Sequence, residues 1–240
     1  NMFDGTGLSH NISFNIWQRW SSVTSINATN AKAIGEVMNS LNIIDLSGLY
    51  DGKTTFNIDI SGWDVSAVTD MSRMFNGARS FDQDIGGWDV SGVKDMSSMF
   101  NGAIRFNQDI SGWNVSGVTN MSRMFKGAES FNQDISGWDV SMVTNMSSMF
   151  KGAKSFDHYI GTWNVSRVTD MSSMFQTAIS FNHDISGWYV GKVTDMSSMF
   201  NGAESFNQDI SGWNISSLQI ATNMFDGTGL SHNISFNIWQ

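Results

Sequence analysis

The sequence predicts an α/β repeat solenoid in which each coil combines a short parallel β-strand with a short helical or 3-10 turn. Three observations carry this reading. Trp63, Trp88, Trp113, Trp138, Trp163, Trp188 and Trp213 stand 25 residues apart. Each lies in a near-copy of one motif, clearest at residues 131–155 as FNQDISGWDVSMVTNMSSMFKGAKS. Proline is absent, as continuous inter-coil ladders require, because a proline would delete a ladder hydrogen bond. A fixed period of this size is the mark of stacked coils, none of which can bury its apolar face alone.

Aligning the copies gives the inward columns. Phe56 and its equivalents through Phe206 form one, Ile60 through Ile210 the next, then the tryptophans, then Val65 through Val190 with Ile215 last. Trp63 and Val65 are two apart with Asp64 between them, which places a strand over Gly62–Ser66 and turns Asp64 outward. Val68, Met71, Met74 and Phe75 recur at spacings of three and four, a helical stripe. Asp70 and its equivalents precede that stripe as N-caps, and Gly77, Gly102, Gly127, Gly152, Gly202 and Gly227 follow it where a left-handed residue ends the turn. Thr177 replaces that glycine once and is expected to be strained. Methionine, sixteen in all, suits a narrow core that must be filled flexibly.

Residues 1–50 break the pattern and read as irregular coils or a junction, with a helix near 30–41 whose apolar face is Ile34, Val37, Met38 and Leu41. Residues 51–225 form seven regular coils. Tyr50 lies 25 before Phe75 and Gly52 lies 25 before Gly77, so the register is entered by that point. Residues 1–18, NMFDGTGLSHNISFNIWQ, recur unchanged as residues 223–240, so residues 226–240 read as the start of a further block. The chain then holds one 222-residue period of a higher-order repeat with the coils nested inside it. Met2, Phe3, Phe236, Ile238 and Trp239 are apolar residues of those two segments and are expected to be assembly ends.

Composition narrows the function classes. The net charge is −9 with no basic stripe, which argues against nucleic acid as a partner. No apolar run reaches membrane-spanning length, so direct membrane insertion of this segment is not expected. Cysteine is absent, which removes disulfides and thiolate metal sites.

Two outward columns are the candidate sites. Asp64, Asp89, Asn114, Asp139, Asn164, Tyr189 and Asn214 would line the strand face, a possible binding face on which Tyr189 is the anchor. Asp59, Asp84, Asp109, Asp134, Asp184 and Asp209 form a carboxylate column interrupted by Tyr159. Carboxylates stacked one coil apart repel, so they must bind turn amides or cations. Asx-type turns are the first reading and a calcium column the alternative. His158 and His183 lie one period apart, in the column of Gln83, Gln108 and Gln133, and could in principle share a metal. Thr69, Thr119, Thr144, Thr169 and Thr194 form a hydroxyl column broken by Lys94. No catalytic constellation stands apart from these ladders, so neither an enzyme nor a cofactor is expected.

The motif FNQDISGWDVSxVTxMSSMFxGAxS resembles the BspA-like surface-protein repeat, a branch of the leucine-rich repeat superfamily. The resemblance spans residues 46–230 and implies leucine-rich-repeat-like coils at a cell surface or outside the cell. It also implies a role in architecture or adhesion. The expected function is therefore one block of a fibre or stalk that partners itself head-to-tail. The alternative is an adhesin for a host protein, matrix component or glycan.

Overall fold

The computed structural model describes residues 43–230. Successive coils pair through residues 25 apart. A single parallel bridge joins Asp45 to Asp70, Asp70 to Asp95, and so on through Asn120, Asn145, Asp170 and Asp195 to Ile220. Among the described residues there is no α-helix, and the pairing is nowhere longer than this one bridge per coil.

The segment expected to be a helical turn satisfies its backbone in another way. The amides of Met71, Arg73, Phe75 and Gly77 donate to the carbonyls of Asp95, Ser97, Met99 and Asn101 in the next coil, at 3.0, 2.8, 2.9 and 2.7 Å. The amides between them turn inward along the chain. Met74, Asn76 and Ala78 donate to Met71, Arg73 and Phe75, three residues back, and Ser72 donates to the Asp70 carboxylate at 2.8 Å. Every amide from Met71 to Ala78 is thus paired, alternately across coils and within overlapping β-turns.

A helix would need Phe75 N–H to reach Met71, but that amide is committed to Met99. Left-handed φ values of 58° at Arg73 and 69° at Gly77 turn the chain twice within five residues and rule the helix out. The three-and-four spacing is nonetheless real, since Val68, Met71, Met74 and Phe75 are all fully buried. Consecutive turns place side chains inward at the same intervals as a helix does.

The expected strand over Gly62–Ser66 is likewise absent. Trp63 and Val65 point inward and Asp64 outward, as the alternation requires. Turns closed by Trp63 N–H to Ile60 O and by Val68 N–H to Val65 O flank this stretch, however. The Ser66 amide is held by Asp64 at 3.0 Å. The parallel pairing falls instead on the Asp70 column, expected only as a cap.

Aromatic rings run the length of the core. Phe75 and Phe81 stack with centroids 3.9 Å apart, and each meets its own equivalent in the next coil, Phe100 at 5.6 Å and Phe106 at 5.8 Å. Trp113 lies parallel to Trp138 at 6.4 Å and 3°. Tyr50 occupies the Phe75 column, and Gly48 and Gly52 take the left-handed positions of Arg73 and Gly77. Residues 45–50, read from sequence as part of a junction, therefore belong to the regular stack. The helix expected near 30–41 and the assembly ends Met2, Phe3, Phe236, Ile238 and Trp239 lie outside the described residues.

Thr177 adopts the left-handed conformation of the glycine it replaces, with φ 56°. The sequence gives no warning that Ser98, Arg123, Ser148, Ser173, Ser198 and Asn223 share Arg73's left-handed φ, because side chains other than glycine occupy that column.

Candidate functional site

Each coil encloses the core between two walls. The turn wall runs through Met71–Ser80 and its equivalents, and the loop wall through Phe81–Lys94 and its equivalents. Both carboxylate columns stand on the loop wall.

The Asp59 column is a set of Asx turns. Each carboxylate accepts the backbone N–H two residues on: Ser61 to Asp59, Gly86 to Asp84, Ser111 to Asp109, Ser136 to Asp134, Ser186 to Asp184 and Ser211 to Asp209, all at 2.8–2.9 Å. Hydrogen bonds from the backbone N–H and hydroxyl of Ser61 and Ser136 hold Asp59 and Asp134 below the usual carboxylate range. Those from the hydroxyl and backbone N–H of Ser111, Ser186 and Ser211 do the same for Asp109, Asp184 and Asp209. Among the described residues no group of three or more His, Asp or Glu side chains is placed to hold a metal ion.

The Asp64 column is exposed along its whole length. Here too the bonds are local. Asp64, Asp89, Asn114, Asp139, Asn164 and Asn214 each accept the amide of the serine two residues on. Bonds from that serine's hydroxyl first, then its amide, hold Asp64, Asp89 and Asp139 below the usual carboxylate range. These side chains cap turns within their own coil.

The two tyrosines depart from this pattern together with a glycine. Tyr189, 59% exposed, is followed by Gly191 where the other described coils have serine. A Cβ on Gly191 would meet the Tyr189 ring at 3.2 Å. Tyr159, 47% exposed, lies over Gly161 in the same way, where a Cβ would meet the ring at 2.6 Å. Loss of the side chain two residues on lets each ring lie flat across the turn.

His158 and His183 do not converge on a common point. The Nε2 of each faces a backbone carbonyl of the preceding coil, Asn132 at 3.1 Å and Asp157 at 3.0 Å, the role that glutamine amides fill elsewhere in the column. His183 also lies 3.2 Å from the Asp157 carboxylate. The threonine hydroxyls are tied between coils, Thr119 to Lys94 O, Thr144 to Thr119 O and Thr169 to Thr144 O, each at 3.2 Å.

Two ladders escaped the sequence reading. The side-chain oxygens of Asn57, Asp82, Asn107 and Asn132 accept the backbone N–H of the equivalent residue one coil on, at 2.8–2.9 Å. The signal was an Asn or Asp directly after every column phenylalanine. The tryptophan indoles form the other, each donating to an isoleucine carbonyl of the preceding coil.

No curated protein matches the chain. The family described as "Mycoplasma protein of unknown function, DUF285" matches over residues 18–138 and again over 128–239. Those two segments cover most of the sequence, and the chain belongs to that family.

Proposed function

We propose that this protein is a non-enzymatic structural element, one block of a repeat-built extracellular fibre or surface stalk that assembles head-to-tail. In this reading it is a BspA-like, leucine-rich-repeat-like solenoid, and its main partner is another copy of itself. The observation that carries it is the repeating interface. Each regular coil offers four backbone N–H groups to the next and accepts four from the one before, so one surface is complementary to the other at every step. The identity of residues 1–18 with 223–240 supports continuation of the same block. Electron microscopy of the purified chain across a concentration series tests this. Filaments of constant width are the expected result, and isolated short particles at every concentration would overturn it.

A second reading, an adhesin, draws on one specific observation: the paired Tyr159 over Gly161 and Tyr189 over Gly191. Flat exposed rings suit stacking on sugar faces or apolar side chains. Replacing Tyr159 by Asp and Tyr189 by Asn, the residues of neighbouring coils, should abolish retention on a glycan or matrix-protein array. Unchanged retention removes this reading.

A further inference from the structure

The two walls carry opposite charge. Over residues 71–155 the turn wall holds Arg73, Arg79, Arg105, Arg123, Lys126, Lys151 and Lys154, against the single acidic residue Glu129. The loop wall of the same coils holds Asp82, Asp84, Asp89, Asp109, Asp134 and Asp139, against the single cation Lys94. Phe100 from the turn wall meets Trp113 from the loop wall across the core at 6.3 Å, and Phe125 meets Trp138 at the same distance. The outward side chains therefore leave the coil on opposite sides. Glu129 is taken by Lys154 at 3.1 Å. Among the described residues, Arg123, Lys126 and Lys151 have no carboxylate within ion-pair distance. Burial, with the neighbouring charges of Lys151 and Arg123, lowers the Lys126 pKa, as expected of cations left to face one another.

We propose that this cationic turn wall is a lateral docking surface for the acidic loop wall of a second copy, so that stacks associate side by side. A second copy is the favoured occupant because its loop wall carries the complementary charge over the same coils: Lys126 and Lys151 stand one 25-residue period apart, and so do Asp84, Asp109 and Asp134. A match to Lys126 in one coil is therefore repeated at Lys151 in the next. The contact is heterologous, one wall against the other, so it leaves a free wall on each side and extends into a sheet of stacks. It uses side walls rather than coil ends and stands whether or not the head-to-tail reading does.

Sedimentation velocity of the 240-residue chain at about 20 mM and about 0.5 M salt tests it, since the higher concentration screens exposed charge within a few ångströms. The variant carries Arg123→Ser, Lys126→Asn and Lys151→Asn, residues already present at equivalent positions in other coils. The wild type should form larger species at low salt and lose them at high salt. The variant should stay at its high-salt sedimentation value throughout, yet a labelled variant should co-sediment with wild type at low salt, because its acidic wall is intact. A single species at both salts, or low-salt association that survives in the variant, would overturn the proposal. So would unchanged sedimentation with lost retention on immobilised polyglutamate, which would assign the wall to a foreign polyanion. Coil-end stacking relies on apolar and backbone contacts that salt does not weaken, so filaments that persist at high salt report on that reading separately.

Discussion

The indole Nε1 of Trp113 donates to the backbone carbonyl of Ile85, in the preceding coil, at 3.1 Å. The same bond joins Trp88 to Ile60, Trp138 to Ile110, Trp163 to Ile135, Trp188 to Ile160 and Trp213 to Ile185. Each of these six tryptophans is therefore both a core ring and an inter-coil clamp.

Trp113→Ala should cost about 3–5 kcal/mol, the usual range for emptying a large aromatic site, and it also removes one of the two hydrogen bonds that the Ile85 carbonyl accepts, leaving it only the Trp88 N–H. In a one-dimensional stack that loss stays local, so thermal unfolding should divide into two transitions. Calorimetry checks this, and a single transition at the wild-type midpoint would refute it.

Thr177→Gly should stabilise the protein by about 1 kcal/mol, by removing a side chain from a left-handed residue. Gly152→Ala, in the same column at φ 72°, should destabilise it by a similar amount. Chemical denaturation of both variants gives the comparison. Equal midpoints for Thr177→Gly and wild type would show that the Thr177 Oγ1 bond to Gln176 O, at 2.7 Å, offsets the strain.

Tyr50 is fully buried, and among the described residues its hydroxyl has no hydrogen-bond partner. Burial pushes its phenol pKa well up. Phenylalanine fills this column in the other coils, so Tyr50→Phe should raise stability by about 1–3 kcal/mol, the cost of an unpaired buried polar group. A fall in melting temperature would contradict the assignment.

The Asx carboxylates make stability depend on pH in one direction. Their folded pKa values lie below the unfolded value of about 3.9. The stabilisation is therefore complete above that value and is lost as pH falls through the lower, folded values. The melting temperature should hold constant from neutral pH down to about 5 and drop below about 4, where the unfolded carboxylates protonate. Excess chelator should leave the midpoint unchanged, because a turn amide already holds Oδ1 of each carboxylate; a fall would favour the calcium alternative.

The inward columns were legible in the sequence because burial repeats with the period, and Phe75, Trp88 and Met96 recur at fixed places in the regular coils. Gly77 was legible too, since a left-handed residue selects against a Cβ. The path of the chain between those points was not. A three-and-four spacing cannot distinguish a helix from overlapping turns, and the deciding fact, that Phe75 N–H bonds to Met99, lies 24 residues away. Arg73 hid its left-handed φ behind a side chain that carries no such signal. The Asx turns were readable from Asp59 and Ser61 because the bond is local, whereas the Asn57 ladder, made between coils, was not.

The turn-wall amides of Met71, Arg73, Phe75 and Gly77 point the same way along the stack, with Ser80 pointing back to Thr54, and this gives it a mechanical character. Tension applied between its two ends loads the bonds of one coil junction at a time rather than shearing many together. The weakest junction yields first, and its neighbours stay closed until the slack is taken up. Each opening frees 25 residues, about 80 Å of extended chain at roughly 3.3 Å per residue, so pulling a single molecule should give a sawtooth of small, evenly spaced steps. A stack built this way lengthens under load without breaking its covalent chain, and it re-forms coil by coil, because each closed coil presents the template for the next.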